Sequence, residues 1–231
     1  MKCVKKSYCC IKVWFIMKKL YIFDLDGTLV NSIYDLADSM NAVLEHHGFP
    51  THDTEKYKYF VGNGTLKLVE RAVPESEKNE IKIKALHAEF SEEYNKRCID
   101  KTKSYDGIEN VIIELHKRGC LTAVASNKPD QFVKFIVDSV FENRLFDEIA
   151  GKKENVPTKP DPEIVFGIMG KLGSDNDNTI MIGDSNVDVE TAHNAGIKCI
   201  GCSWGFRGRE ELASAGADFI ADKPSEILDF K

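Results

Sequence analysis

A chain of 231 residues is long enough for one domain of ordinary size plus an insertion, and a balance of 42% apolar to 29% charged residues is that of a soluble globular protein. A formal net charge of -6 argues against nucleic acid as a default partner, since phosphate backbones are gripped by basic surfaces; a small anionic substrate stays open if the site supplies its own positive charge. Seven cysteines, an odd number in a chain too large to need disulfide staples, fit a reducing cytoplasm.

The first 16 residues begin with Lys2, Lys5 and Lys6 and continue through Tyr8, Trp14 and Phe15 to Ile16. A basic start before apolar residues suggests a signal peptide, but Lys12 interrupts the apolar run and no small-residue cleavage site follows, and the run is too short to span a bilayer. Residues 1–16 are expected to be a dispensable extension, with Met17 a natural start before the first strand. Leu20-Tyr21-Ile22-Phe23 then reads as a buried strand of a parallel sheet, followed by Asp24-Leu25-Asp26-Gly27-Thr28. A sheet cannot bury two unpaired carboxylates on one face, so the pair must lie past the strand's end. There it can grip a divalent cation and attack an electrophile.

After Val30 the apolar period turns helical, with Ile33, Leu36, Ala37, Met40, Val43 and Leu44 before a stop at Gly48. Tyr57 to Val61 leads into Gly62-Asn63-Gly64, after which Leu66, Val69 and Val73 continue helically, and a further helix is expected over Glu77–Arg97. Residues 33–104 are therefore expected to form an all-helical insertion in a chain that otherwise alternates strand and helix; residues 17–32 and 105–231 form the α/β core.

Alternation resumes with a helix from Ile108 to a stop at Gly119 and a strand over Leu121–Ala125. Ser126-Asn127-Lys128-Pro129 follows, with Ser126 or Asn127 expected to cap a helix running to Val140. A short strand at Glu148–Ala150, a helix opened by Lys159-Pro160-Asp161-Pro162 and closed by Gly173, and a strand at Thr179–Ile182 come next. That strand ends in Gly183-Asp184-Ser185-Asn186-Val187-Asp188; a helix stopping at Gly196, a strand at Cys199–Cys202 and a last one at Ala217–Ile220 complete the pattern. The pair Cys199 and Cys202 lies in an apolar run without a second C-x-x-C, which favours a buried structural role over redox or metal use. The histidines show no metal-ligand spacing: His46 and His47 end a helix and His193 sits in another. Strand and helix repeated with short connections predict a doubly wound parallel sheet covered on both faces.

Four signals fall in order: Asp24-Leu25-Asp26-Gly27-Thr28, Ser126-Asn127, Lys159, and Gly183-Asp184 with Asp188. Together they resemble the haloacid dehalogenase superfamily of phosphohydrolases, from Leu20 to the C-terminus. The resemblance implies a Rossmann-like core, Mg²⁺ as cofactor, and Asp24 as the nucleophile that forms an aspartyl-phosphate, with Asp26 protonating the leaving alkoxide and then activating water. It implies that Asp24, Asp184 and the Asp26 backbone carbonyl hold the metal, and that Asp188 orients water or Lys159 instead of ligating directly. Ser126 and the adjacent Asn127 backbone N–H, expected at a helix start, would cradle phosphate, and Lys159 would offset its charge. Thr28 either hydrogen-bonds the aspartyl-phosphate or finishes the turn.

Within the insertion, Val61-Gly62-Asn63-Gly64 before Leu66, Val69, Glu70, Arg71 and Ala72 resembles the cap of phosphoglycolate phosphatases, as do Ser126-Asn127-Lys128-Pro129 and Trp204-Gly205. A glycine-flanked helix start offers N–H groups to a small carboxylate, or is simply a turn. Lys67 and Arg71 either add charge at the cap's inner face or lie on a solvated surface. The resemblance implies a Mg²⁺-dependent phosphatase of a small phosphorylated metabolite, most of all 2-phosphoglycolate, acting as a monomer or homodimer without nucleic acid or membrane. Rivals are a phosphomutase of the β-phosphoglucomutase type and a pyrophosphatase or nucleotidase of the same superfamily. A non-catalytic binder of phosphorylated ligands would be expected to lose Asp24 or Asp184, and both are present.

Overall fold

The computed structural model describes residues 18–141 and 145–230; the expected dispensable extension, residues 1–16, lies outside them. The sequence forms β1 (Leu20–Phe23), β2 (Val30–Asn31), α1 (Ile33–His46), α2 (Thr54–Phe60), α3 (Thr65–Ala72) and α4 (Glu80–Arg97). It continues with β3 (Lys103–Ser104), α5 (Ile108–Lys117), β4 (Leu121–Pro129), α6 (Asp130–Val140) and β5 (Glu148–Lys152). The last third holds α7 (Glu163–Leu172), β6 (Thr179–Gly183), α8 (Asn186–Asn194), β7 (Lys198–Cys202), α9 (Gly208–Ala215) and β8 (Phe219–Ala221).

Six of the strands form one sheet in the order β5-β4-β1-β6-β7-β8, with every pairing parallel. Successive side chains of β1 point to opposite faces, as strand geometry demands. Tyr21 and Phe23 join a core with α5 and α6, whereas Leu20 and Ile22 join one with α7, α8 and α9. Both faces being covered explains why the strands read as continuous apolar runs, and the fold is the expected doubly wound α/β architecture. The chain leaves β1, builds β4 and β5 on one side, and returns to build β6, β7 and β8 on the other. That reversal leaves a crevice at the carboxyl ends of the strands beside β1.

Helices α1 to α4 fill the interval between β2 and β3, which close it as a two-residue antiparallel ladder. Ile83, Leu86, Phe90 and Tyr94 form the buried face of α4, as their spacing predicts. Asp35 of α1 is buried, and its carboxylate accepts from the backbone N–H of Lys101 and Thr102 and from the Thr102 hydroxyl at 2.7–3.0 Å. It ties the exit of the insertion to its entry. Asp35→Ala strands those donors without acceptors and is expected to cost about 2–3 kcal/mol, read in a thermal melt as a Tm lowered by roughly 5–10 °C.

Several boundaries differ from expectation. The segment Ser126–Pro129 belongs to β4, and α6 begins only at Asp130, so Ser126 and Asn127 are not helix caps. Pro129 holds the residue before it extended, which carries the strand on, and the register against β5 shifts between Ala125 and Pro129. Helix α4 starts at Glu80 instead of Glu77, after a 3₁₀ turn at Glu75–Glu77. Helix α7 starts at Glu163, with Asp161 Oδ1 accepting from the Glu163 N–H at 2.9 Å. Cys199 and Cys202 are buried free thiols on β7, each pushed well up by burial, which keeps them protonated and inert. No helix among the described residues is long and apolar enough to cross a membrane.

Candidate active site

Asp24 sits one residue beyond β1, where its N–H still donates to the Ile182 carbonyl at 2.8 Å. The chain then turns sharply: Leu25 O accepts from Leu29 and Val30 N–H at 3.0 Å, and Gly27 takes φ 87°. A side chain at Gly27 would be strained at that φ and would also overlap the Asp184 carboxylate. A Cβ at Gly205 would meet Asp184 as well. The two glycines let the β1 and β7 loops close on the carboxylate at the end of β6.

Ligand oxygens of Asp24, Asp184 and Asp188 lie within 4.8 Å of one another, all three residues buried. Burial, against the pull of Lys159, lifts the Asp24 carboxyl to about 6. Burial and then the Asp188 and Asp24 charges push Asp184 well up, although Asp184 Oδ2 accepts from the Phe206 N–H at 2.7 Å. Asp188 spends Oδ1 on Lys159 at 2.7 Å and Oδ2 on the Ser185 hydroxyl at 2.7 Å. Asp24 Oδ1 lies 2.9 Å from the Lys159 ammonium, yet no donor is aligned on it. A buried, all-oxygen set with an unfilled carboxylate oxygen is the donor chemistry that suits a hard divalent cation such as Mg²⁺. The exposed residues His46 and His47 and the half-buried Glu89 also place ligand atoms within 4.8 Å, with His47 Nε2 and Glu89 Oε2 already paired at 2.8 Å.

Lys159 is 3% exposed, donates to Asp188 and to the Ala125 carbonyl at 3.0 Å, and lies against Asp24. Burial alone would lower its affinity for a proton; Asp188 and Asp24 more than reverse this and hold it charged. Asn127 fixes its backbone, accepting from the Lys159 N–H at 2.8 Å and donating to the Lys159 carbonyl at 3.0 Å. The Asn127 amide also donates to the Gly62 carbonyl of the helical insertion at 3.0 Å. With its side chain engaged in this way, Asn127 has only its backbone to offer an anion. Ser126 lines the cleft, and Thr28 Oγ1 is buried without a partner.

The cleft is lined by Asp24, Asp26, Asp184, Ser126 and Asn127 from the core and by Gly62, Gly64, Thr65 and Leu68 from the insertion. Gly62 and Gly64 have positive φ, and α3 starts at Thr65. Asn63 is not among the lining residues: its Oδ1 accepts from Arg71 at 2.7 Å. Arg71 also donates to the Phe60 carbonyl at 3.0 Å and Lys67 pairs with Glu70, so neither cation faces the cleft.

Two cations that do line it were given no role by the sequence. Lys128, with a side chain 2% exposed, donates to Asp26 Oδ1 at 2.6 Å and Oδ2 at 2.7 Å. The Ser32 hydroxyl adds a 2.5 Å bond to Asp26 Oδ1. Arg207 donates to the Val61 carbonyl at 3.1 Å and lies over the Tyr59 ring, 5.4 Å from its centroid. One signal for Lys128 was readable: a lysine on a strand otherwise buried needs a carboxylate partner.

A family model described as haloacid dehalogenase-like hydrolase matches residues 21–202. The phosphoglycolate phosphatase of Pasteurella multocida is 31% identical over 216 residues, covering 91% of this chain and 96% of that protein. The crystal structure of a predicted phosphoglycolate phosphatase from Haemophilus somnus superposes with a TM-score of 0.84 at 30% identity, over 92% of this chain and 97% of that one. CbbY from Rhodobacter sphaeroides, crystallised in complex with phosphate, superposes with a TM-score of 0.76 at 25% identity, over 91% of this chain and 96% of that one.

Proposed function

The chain belongs to the haloacid dehalogenase-like hydrolase family and is a phosphatase, and on that premise we propose that it hydrolyses 2-phosphoglycolate to glycolate and phosphate through an aspartyl-phosphate on Asp24. The observation that carries this reading is the environment of Asp24: a buried carboxylate at a strand end, in contact with Lys159 and beside Asp184, opening into a cleft that Asp26 shares.

In the first step an Asp24 carboxylate oxygen attacks phosphorus, the ester P–O bond breaks, and the leaving alkoxide takes a proton from Asp26. In the second, Asp26 takes a proton from water, the water oxygen attacks phosphorus, and the bond to Asp24 breaks to release phosphate. Lys159 sets a fixed positive charge against the attacking carboxylate and the phosphate oxygens. Asp188 and the Asn127 amide hold that lysine in place. Mg²⁺, held by Asp24, Asp184 and the Asp26 carbonyl, would supply charge neutralisation and orientation of the phosphoryl oxygens. Ser126 and Thr28 hydroxyls and the Asn127 N–H complete the phosphate site.

Helices of residues 33–104 act as a cap that excludes water and selects the leaving group. Core-to-cap bonds from Asn127 to Gly62 and from Arg207 to Val61 support a closed cleft suited to a small substrate. The test is Mg²⁺-dependent phosphate release from 2-phosphoglycolate, glucose 1-phosphate, pyrophosphate and nucleoside monophosphates. A lead of about a hundredfold in kcat/KM for 2-phosphoglycolate is expected, corresponding to roughly 2.7 kcal/mol of transition-state preference. An even, weak profile would refute this substrate and leave the phosphatase chemistry standing.

A further inference from the structure

Three cations surround the cleft, and their donors are committed differently. Lys159 donates to Asp188 and to the Ala125 carbonyl and stands 2.9 Å from Asp24, so its ammonium is committed to the nucleophile's side of the site. Arg207 is held by the Val61 carbonyl and the face of Tyr59. Of the three, only Lys128 bonds Asp26, the carboxylate that must meet the leaving oxygen. Two of its N–H bonds go to Asp26, and its remaining neighbour is the face of Tyr94, 5.0 Å from ammonium to ring centroid. Among the described residues it bonds no other acceptor.

We propose that Lys128 is the specificity-determining residue of this enzyme: it exchanges a hydrogen bond to Asp26 for one to an anionic group carried on the carbon next to the leaving oxygen. The geometry follows from bond lengths. Asp26 must come within hydrogen-bond distance of the leaving oxygen, and the Lys128 ammonium lies 2.6–2.7 Å from both Asp26 oxygens. In a glycolate ester a single methylene separates the leaving oxygen from the carboxylate, so that carboxylate falls within reach of the same ammonium. The exchange replaces one charge-assisted bond with another and leaves no buried charge unpaired. It also frees an Asp26 oxygen that Lys128 otherwise occupies. A neutral alkyl ester cannot make the exchange, so Asp26 stays engaged and the ester is disfavoured. The Tyr94 ring face, 5.0 Å from the ammonium, steadies it without offering a competing acceptor.

This inference rests on the 2-phosphoglycolate reading above, and the experiment separates the two. Steady-state kcat/KM is measured for 2-phosphoglycolate and for ethyl phosphate, which keeps the ester and lacks the carboxylate, on the same preparations of wild type, Lys128→Met and Lys128→Arg. The ratio of the two values cancels any difference in folded fraction between variants. Lys128→Met is expected to lower that ratio about a hundredfold, and Lys128→Arg to hold it within roughly tenfold of wild type, since a guanidinium also binds carboxylate. A Lys128→Met variant in which both substrates fall by the same factor, with the ratio unmoved, overturns the inference, because the lysine then acts through Asp26 alone. A wild-type ratio near one refutes the 2-phosphoglycolate reading itself, and the role of Lys128 falls with it.

Discussion

Asp24→Asn is expected to lower the rate of phosphate release by about 10⁴-fold or more while leaving the fold intact. An amide cannot form the acyl-phosphate bond, and no neighbour can replace it. Asp184 is turned to the Phe206 N–H, and Asp188 is engaged on both oxygens by Lys159 and Ser185. The substitution is also gentle, because Lys159 keeps Asp188 and the Ala125 carbonyl as acceptors. Three buried carboxylates that disfavour one another's charge become two, so the Tm is expected to match or exceed that of wild type. Circular dichroism melts alongside the assay would establish that lost turnover is lost chemistry. Turnover within tenfold of wild type would mean that Asp24 is not the nucleophile.

Lys159→Met has the largest expected effect on stability. The lysine is 3% exposed and is the cation in contact with both Asp24 and Asp188. Truncating one partner of a buried ion pair leaves the other charge uncompensated and typically costs about 3–5 kcal/mol. Here two carboxylates lose their counter-charge at once, with a third, Asp184, already pushed up beside them. The expected result in denaturant melts of the metal-free protein is an unfolding free energy lower by that amount, read as a lower midpoint with an unchanged slope. The same variant should have little turnover, since the fixed charge beside the attacking carboxylate is gone. A Lys159→Met protein as stable as wild type would show that the aspartates are not held charged in the folded state.

Much of the fold could be read from the chain because both faces of the sheet are covered. β1, β4, β6 and β7 stand out as short apolar runs bounded by glycine or by polar strand ends. Helix α2 escaped because Tyr57 is its only buried residue, and α9 because Leu212 is. With one anchor apiece, neither shows an apolar period. The end of β4 was misread because Ser126 and Asn127 are good cap residues, yet the Ser126 hydroxyl accepts from the Lys128 N–H inside the strand and the Asn127 amide meets tertiary partners. Asn127 is spent on Lys159 and Gly62, residues distant in sequence.

Asp24, Asp26 and Asp184 were legible for a simple reason: charges at the ends of buried strands cannot be there for packing, whereas Asp188, in the first turn of α8, was read from the order of the motifs. Lys159 emerged only through the order of the motifs, because a single lysine between a loop and a helix carries no local signal. Lys128 and Arg207 were not read as site residues, since what gives each its place is the element it reaches: Asp26 from β4, and the Val61 carbonyl from the loop after β7. Asp35 was hidden in the same way on the polar side of an amphipathic helix.

The central claim is that phosphate passes through a covalent bond to Asp24. Rapid acid quench of a single turnover with 2-phosphoglycolate and Mg²⁺, followed by mass spectrometry of the peptide that carries Asp24, tests it most directly. One phosphoryl group on Asp24, labile to hydroxylamine and absent from Asp24→Asn, is the predicted result. Phosphate formed at wild-type rate by Asp24→Asn, with no phosphoryl group on the wild-type peptide at any quench time, would contradict it.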